Sequence, residues 1–576
     1  MFSVIREGKL SLHSLSVNTV MRRISPLFSP LHDTRSNTRS NTRSNTRSDT
    51  MIRALSRSVG HALVLVTPIT VAACRRADPM PERHAIVDSR DWYDPRSLDP
   101  AHATDVPTGR AVAYLFDGLT RFTPDARIEP GLASSWDVSP DGLQYTFHLR
   151  SGVQFHDGTP FRAKHVLQSF TRVLDPATKA GSVWPLYPIK GARAFADGKG
   201  TALGLDVRND STIVITLEEP FAIFPKLLAM PIASIVPENV GADFSEKPVG
   251  TGPWKLVEWK HDDYVKFAKN PSYFGGAPTI DTLIARIIPE PSTAVAEFES
   301  GTVDILYVPE DQTKVWEDTD TRSARLTSAP ALRLWYLGVN ETRGPLKDVR
   351  VRRAIATALD VPTLLKQLLA GRGRVAAGVI PPSLEGADTT RKPFTYDTAA
   401  ARALLKDAGF PNGIDLELWC SQTPQFARLA QSIQAYLASA GIRVKLVQRD
   451  ASTMRAAARA GQTDLVLKDW YADYPDAENF LYPLLHTANR GAGGNVSFFS
   501  DAAFDKLVDA SRRESDATKR AVLYRSADSL AYANVGLVPL FFYNELYAVQ
   551  PWVQGFEVPV IFNGQRWTTV RLGQQR

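Results

Sequence analysis

Apolar and polar residues alternate along the stretch 144–150, a pattern that is typical of a half-buried β-strand. Tyr145, Phe147 and Leu149 are its apolar positions. A Ser-Pro-Asp-Gly turn precedes this strand, and an Asp-Gly-Thr-Pro turn follows it. Apolar residues then recur at helical spacing over 163–173, and the alternation over 213–217 predicts another strand. This part of the chain therefore predicts β-strands with a helix between them.

The second half of the chain has a different rhythm, in which helical and strand patterns alternate. Four helices are predicted: one over 349–359, one that Asp360 caps, one over 397–408 and one from Leu429 that ends at Gly441. Two strands are predicted, over 442–446 and 465–467. Helices that alternate with strands indicate an α/β region with mainly parallel strand pairing.

The charge of the chain is unevenly distributed. The 576 residues have a formal net charge of +6, but residues 1–73 contain ten Lys or Arg and only three Asp or Glu, which leaves the remainder near −1. A nearly neutral body offers no electrostatic attraction to nucleic acid, so no nucleic-acid partner is expected. The length predicts about three or four compact units.

The first 74 residues form a leader with two parts. Residues 34–50 repeat Thr-Arg-Ser-Asn, and we expect residues 1–50 to be a disordered or untranslated extension. From Met51, basic residues precede a short apolar run that ends at Cys74. This is the pattern of a signal peptide over 51–73, and Val-Ala-Ala-Cys resembles a bacterial lipobox, which implies lipidation of Cys74. No later stretch has the ~18 apolar residues of a spanning helix, so we expect membrane attachment through lipid alone.

The segment Pro130 to Val166 reads PGLASSWDVSPDGLQYTFHLRSGVQFHDGTPFRAKHV. It closely resembles the signature of the family-5 extracellular solute-binding proteins, the oligopeptide and dipeptide receptors of ABC importers. The resemblance implies an α/β, periplasmic-binding-protein-like two-lobe fold with an additional β-rich domain and a ligand cleft between the lobes. Lobe I is expected from 84–116, 250–331 and 540–576, the extra domain II from 117–249, and lobe II from 332–539.

The segment Asp469 to Asp476 is the strongest candidate for ligand binding, because it follows a buried strand and strand ends are where α/β folds bind ligands. In the oligopeptide receptors a similar Trp-x-Ala-Asp-Tyr run carries the carboxylate that grips the α-ammonium group of the peptide. The resemblance assigns that role to Asp473, with Trp470, Tyr471 and Ala472 beside it. Asp469 departs from the family, which commonly has Gly there.

The resemblance also nominates residues outside this segment. Asp105-Val106-Pro107 aligns with the first ligand-facing stretch of the family, so the backbone of Val106 is expected to pair with an extended peptide. Trp184 and Tyr187 stand where the family places aromatic residues near the ligand, although a core position fits them equally. Lys468 is offset from the expected place of a basic group for the far end of the ligand, so that anchor stays unassigned.

The sequence gives little support for an enzymatic function. Gly-x-Ser-x-Gly, His-Glu-x-x-His and phosphate-loop motifs are missing from the sequence, and the histidines lack metal-ligand spacing, so we expect neither a metal site nor a cofactor. Cys420 with His486 is the least implausible catalytic pair, for a secreted cysteine hydrolase. A buried structural role is the simpler expectation for Cys420.

The sequence therefore predicts a monomeric lipoprotein that binds peptides with a free α-amino group outside the cytoplasmic membrane. Its expected partners are the peptide, an ABC permease with its ATPase, and the membrane that holds the lipid. Receptors of the same fold for nickel chelates, opines, sugars or cell-wall peptides remain alternatives, as does a scaffold or sensor lipoprotein.

Overall fold

A computed structural model describes residues 85–90 and 92–573. The predicted extension, signal peptide and lipidation site Cys74 lie outside the described residues. The strands are β1 Ala85–Ser89, β2 Thr120–Phe122, β3 Ile128–Pro130, β4 Ala133–Val138, β5 Gln144–Leu149, β6 Leu205–Asn209, β7 Thr212–Thr216, β8 Trp254–Lys260, β9 Tyr264–Lys269, β10 Thr282–Arg286, β11 Ile305–Tyr307, β12 Leu326–Val339, β13 Gly373–Val375, β14 Ile414–Ser421, β15 Ile442–Arg449, β16 Leu465–Tyr471, β17 Val538–Val549, β18 Val553–Gln554 and β19 Arg571–Leu572.

The helices alternate with these strands most regularly in the second half of the chain. They are α1 Val106–Leu115, α2 Ala163–Leu174, α3 Ala192–Ala196, α4 Phe224–Leu227, α5 Pro291–Glu299, α6 Thr313–Glu317, α7 Asp320–Ser323, α8 Val349–Thr357, α9 Val361–Leu368, α10 Thr398–Asp407, α11 Pro424–Ser439, α12 Ala451–Arg459, α13 Glu478–Leu485, α14 Ala502–Arg513 and α15 Ala517–Ala533. Among the described residues, no helix is both long and apolar enough to cross a membrane.

The largest sheet has eleven strands in the order β15-β14-β16-β12-β17-β11-β1-β10-β9-β8, with β13 paired to β17. The long strands β12 and β17 pair antiparallel at its centre. Because β11 borders one half of β17 and β13 the other, these two long strands run through both halves of the sheet. The sheet therefore holds the two halves of the fold together through continuous backbone.

Strand pairing in the second half differs from the prediction. β14 pairs parallel with β15 and β16, as expected for strands linked through helices. However, β16 pairs antiparallel with β12, which enters from the other half of the sheet without a crossover helix. The expectation of mainly parallel pairing is therefore wrong for the central strands.

A separate antiparallel sheet, in the order β4-β5-β7-β6, is built as the alternation predicts. Tyr145, Phe147 and Leu149 point into a core, and the buried side of α2 joins the same core. The turn before β5 closes through a 2.8 Å hydrogen bond from the Gly142 N–H to the Ser139 carbonyl. Gly142 has a φ of +71°, a conformation that favours glycine. The predicted strand and helix are confirmed.

The predicted cap at Asp360 is present, and the helix predicted over 397–408 begins with a cap of the same kind. The carboxylate of Asp360 accepts a hydrogen bond from the Thr363 N–H at 3.1 Å, and that of Asp397 accepts one from Ala400 at 2.9 Å. Local sequence therefore sets where α9 and α10 begin. The limits of lobe I, domain II and lobe II stay predictions.

Candidate functional site

β16 carries the predicted binding motif further along the sheet than expected. The strand runs to Tyr471, so Asp469, Trp470 and Tyr471 are strand residues rather than a loop beyond Leu467. The strand continues because Asp469 has an ion-pair partner on β12. Two guanidinium nitrogens of Arg333 each lie 2.9 Å from its Oδ2 atom. The prediction that the strand ends at Leu467 is therefore wrong, and the chain leaves the sheet only at Ala472.

Asp473 lies immediately beyond the end of β16 and is half-buried. Its backbone N–H donates to the Oδ1 atom of Asn479 at 2.9 Å, and the Trp470 Nε1–H donates to the same oxygen at 3.3 Å. Burial raises the pKa of Asp473 to about 6, against a smaller lowering by the Asn479 side chain. No cation of the described chain contributes to this pKa, so the carboxylate is ionised at neutral pH without a positive partner.

Two cavities meet at Asp473. The smaller has a volume of about 280 Å³ and the larger about 800 Å³. Ser182, Trp184 and Asp473 line both of them. Together they have the size of a small-molecule or short-peptide site, with an unpaired carboxylate at their junction.

The seven residues nominated for ligand binding all line one or both cavities. Val106, Tyr471 and Ala472 line the smaller, Tyr187 and Trp470 line the larger, and Trp184 and Asp473 line both. Lys468, left without an assignment by the sequence, also lines the larger cavity. The fold thus brings together residues that are far apart in sequence; their roles in binding stay predictions.

Val106 lies at the start of a helix. It is the first residue of α1, whose N-cap Asp105 accepts a 2.9 Å hydrogen bond from the Thr108 N–H, with Pro107 in the first turn. The Asp-Val-Pro sequence therefore starts a helix, and the pairing of the Val106 backbone with an extended peptide stays a prediction. Val106 still faces the smaller cavity.

Aromatic side chains close the junction of the cavities. The rings of Trp184 and Tyr474 lie 5.9 Å apart at 45°, which joins the segment 182–187 to the segment after β16. The Tyr187 ring lies 4.6 Å from the guanidinium carbon of Arg193. Both nominated aromatics are thus partly engaged with protein neighbours as well as with the cavity wall.

Some residues of the site escaped sequence reasoning. Phe562, near the C-terminus, lines the smaller cavity. It approaches α1 so closely that a Cβ at Gly109 would lie 2.6 Å from its ring. Asp105 contributes a second carboxylate, whose Oδ2 atom is buried without a hydrogen-bond partner among the described residues. Its position before Val-Pro was the available signal, but that signal indicates a helix cap rather than a cavity wall.

The alternative catalytic pair receives no geometric support. Cys420 is fully buried in β14, and burial raises the pKa of its thiol, which disfavours the nucleophilic thiolate. His486 instead lies within 3.4 Å of Asp509 and 3.6 Å of Asp505. Among the described residues, no group of three or more His, Cys, Asp or Glu side chains is arranged to hold a metal ion.

Residues 127–492 match the model of the bacterial extracellular solute-binding proteins, family 5. The chain belongs to this family. The sequence of this family-5 protein is 32% identical over 501 residues to di/tripeptide-binding protein 2 of Pseudomonas aeruginosa, covering 83% of this chain and 90% of the relative. It is 30% identical over 450 residues to heme-binding protein A of Haemophilus influenzae, and the match covers 74% of this chain and 81% of that relative.

A solved structure agrees with this assignment. The ABC transporter-associated periplasmic binding protein DppA of Helicobacter pylori, in complex with the peptide STSA, has a TM-score of 0.72 and 30% identity, covering 85% of this family-5 protein and 98% of that chain. The predicted α/β, periplasmic-binding-protein-like two-lobe fold is thereby confirmed. The relatives are binding proteins rather than enzymes, and their names include both peptide and haem ligands.

Proposed function

We propose that this family-5 protein captures peptides with a free α-amino group outside the cytoplasmic membrane and delivers them to an ABC permease. The observation that carries the proposal is the Asp473 carboxylate, which stands without a cationic partner where two cavities meet. A peptide ammonium supplies the missing positive charge. A charge-assisted hydrogen bond of this kind contributes about 1.5–3 kcal/mol.

The unpaired carboxylate also favours amino-terminated ligands over uncharged ones. An uncharged sugar leaves Asp473 desolvated and without a counter-charge, which costs free energy on binding. An amino-terminated ligand removes that cost. The peptide-binding names of the Pseudomonas and Helicobacter relatives support the same choice.

The proposed domain limits place the hinge on the two central strands. β12 crosses the limit between residues 331 and 332, and β17 crosses the limit between 539 and 540. The pairing of β12 with β17 shifts register between Pro330 and Leu334, beside the first of these limits. A local irregularity in otherwise continuous strands is a natural place for backbone angles to change during closure.

Membrane attachment is proposed from the lipobox-like sequence before Cys74. Lipidation of Cys74 keeps the monomeric receptor near the permease and its ATPase, while the folded body stays free to close on its ligand. Asp473, Trp470, Tyr471, Ala472, Val106, Trp184 and Tyr187 are the proposed ligand-binding residues.

Native mass spectrometry of protein purified without denaturation tests the ligand class. We expect bound species with the masses and fragmentation of short peptides, released on unfolding. A retained sugar, haem or metal chelate, with no peptide, would contradict the proposal. Adding an excess of a defined tripeptide should then displace the retained species into one new complex.

A further inference from the structure

The wall of the larger cavity is built from two parts of the chain that meet along its rim. Glu219 and Phe221 come from the segment after β7, within the proposed domain II. Tyr482 and Arg512 come from α13 and α14, within the proposed lobe II. The cavity therefore keeps this shape only while the two parts stay in contact.

Three kinds of contact join the two parts at the rim. The Ala222 N–H donates to the Arg512 carbonyl at 3.2 Å, and a carboxylate oxygen of Glu219 lies 2.7 Å from the Arg513 guanidinium. The guanidinium carbon of Arg512 lies 4.9 Å from the centre of the Phe221 ring. Because Glu219 and Arg513 are both exposed, water can replace their ion pair at little cost in free energy. The rim contact is therefore of a kind that can open and form again.

The same two parts are joined more firmly beneath the rim. Lys226, four residues after Ala222, lies 2.6 Å from the carboxylate of Asp476, which is buried. A buried ion pair costs much more free energy to break than an exposed one. We therefore expect the rim to open while this inner contact stays closed.

Arg512 connects the rim to the elements that hold Asp473. Its guanidinium lies 3.2 Å from the Glu478 carboxylate, and its guanidinium carbon lies 3.9 Å from the centre of the Tyr482 ring. Glu478 and Tyr482 belong to α13, and Asn479 of the same helix accepts the backbone N–H of Asp473. A single residue of α14 thus contacts both the rim and the helix that positions the proposed ammonium site.

We propose that the contact of residues 219–222 with Arg512 and Arg513 is a gate, which opens to admit the ligand and closes once the ligand fills the larger cavity. This inference rests on the proposed function, because it takes Asp473 as the group that draws the ligand to this cavity. A ligand in the cavity touches the walls from both parts of the chain at once, so it favours the closed gate. The proposed domain II then takes part in ligand capture through its segment after β7.

Thiol labelling of an Ala222→Cys variant of the full-length protein measures how often the gate opens. Ala222 is half-buried at the rim, and the labelled fraction is read at this position by mass spectrometry of proteolytic fragments, so that Cys420 does not interfere. We expect an excess of the tripeptide Ala-Ala-Ala to slow the labelling about tenfold or more, because the ligand holds the gate closed. Ala408→Cys is the matched control, since Ala408 is half-buried just after α10 and lines neither cavity. Its labelling rate should be the same with and without the peptide.

Charge reversal across the rim tests whether the gate contributes to ligand affinity. Glu219→Arg places a cation beside Arg513 and should weaken the binding of Ala-Ala-Ala about two- to fivefold, and the added change Arg513→Glu should restore the affinity. Asp415→Arg is the matched control, because Asp415 forms an exposed 2.7 Å pair with Arg443 on a neighbouring strand of the same sheet. It should leave the affinity unchanged.

Equal labelling of the introduced cysteine at position 222 with and without peptide overturns the inference, as does an unaltered affinity in Glu219→Arg. A contact that is closed in both states would change the melting temperature of Glu219→Arg and not its affinity. If the wild type binds Ala-Ala-Ala and Asp473→Asn does not, while both tests of the gate fail, the proposed function stands and the gate is wrong. If the wild type binds no peptide, both are wrong.

Discussion

The Oδ1 atom of Asn479 accepts hydrogen bonds from the Asp473 backbone N–H at 2.9 Å and from the Trp470 indole at 3.3 Å. Asn479 is 2% exposed, so a single buried amide fixes the two nominated residues that flank the end of β16. The carboxylate of Asp473 is therefore held in place through its backbone before any ligand arrives. Such preorganisation reduces the entropy that binding must overcome.

Replacing Asn479 by Leu should weaken peptide binding about tenfold, because the Asp473 segment loses its fixed acceptor. The two orphaned N–H groups should also lower the free energy of unfolding by about 1–3 kcal/mol. Calorimetric titration and urea unfolding measure these effects. Asn412→Leu, at an exposed turn, is the matched control and should change neither. Unaltered affinity in Asn479→Leu would show that the amide does not position Asp473.

Asp473→Asn should stabilise the ligand-free protein at neutral pH while it abolishes binding. The pKa of Asp473 is raised from 3.8 to about 6, which corresponds to about 3 kcal/mol of unfavourable free energy when the carboxylate is ionised. This cost is complete above the folded pKa of about 6, falls between 6 and 3.8, and disappears below 3.8, where the group is protonated in both the folded and the unfolded chain.

Urea unfolding of the wild-type and Asp473→Asn proteins at several pH values checks this prediction. The stability advantage of the variant should be largest above pH 6 and should vanish as the pH falls below 3.8. An advantage that is independent of pH would show that the carboxylate is not responsible. A stabilised variant without function is the expected signature of a binding group that is costly to the fold.

Lys226 in α4 anchors the segment after Asp473. Its Nζ lies 2.6 Å from the Asp476 carboxylate and donates to the Pro475 carbonyl at 2.9 Å. Burial acts to raise the pKa of Asp476, but Lys226, the Glu478 N–H and the Tyr524 hydroxyl together outweigh it, and the net pKa lies below the ordinary value. Lys226→Met leaves this buried carboxylate unpaired and should destabilise the fold by about 3 kcal/mol.

The loss of stability in Lys226→Met should be present above about pH 4. It should shrink as Asp476 becomes protonated at lower pH, since the folded pKa of Asp476 lies below 3.8. Lys247→Met is the comparison, because Lys247 forms an exposed 3.0 Å pair with Asp243. Because that pair is fully exposed to solvent, removing it should change the stability little. Equal losses of stability in the two variants would show that the Lys226 pair stabilises the fold no more than an exposed pair does.

Cys74→Ser should release the protein from the membrane fraction of expressing cells, because a serine cannot carry the thioether-linked lipid. Metabolic labelling with a fatty-acid probe should mark the wild-type chain and not the variant. Cys420→Ser is the control, since that thiol is buried in β14. A labelled Cys74→Ser protein would contradict the lipobox interpretation.

Local sequence predicted the parts of the fold that depend on neighbours along the chain. The alternation around Phe147 and the cap at Asp360 need only a few residues, and the structure confirms them. The Asp-Val-Pro start of α1 is equally local, since Asp105 caps the helix and Pro107 lies in its first turn.

Other features depend on residues that meet only in three dimensions. β16 extends to Tyr471 because Arg333, 136 residues before Asp469, supplies a counter-charge from β12. Phe562 joins the smaller cavity from the far end of the chain. No periodicity in the sequence encodes these encounters, so the motif around Asp473 could be found while the cavities beside it could not.

The most direct test of the central claim is a calorimetric comparison of one tripeptide with its N-acetylated form, using the wild-type protein and Asp473→Asn. The wild type should bind the free peptide about a hundredfold or more tighter than the acetylated one, because only the free form brings an ammonium to the buried carboxylate. Asp473→Asn should bind both forms weakly and equally. Tight binding of the acetylated peptide to the wild type, or an undiminished preference in Asp473→Asn, would contradict the assignment of Asp473 as the ammonium site.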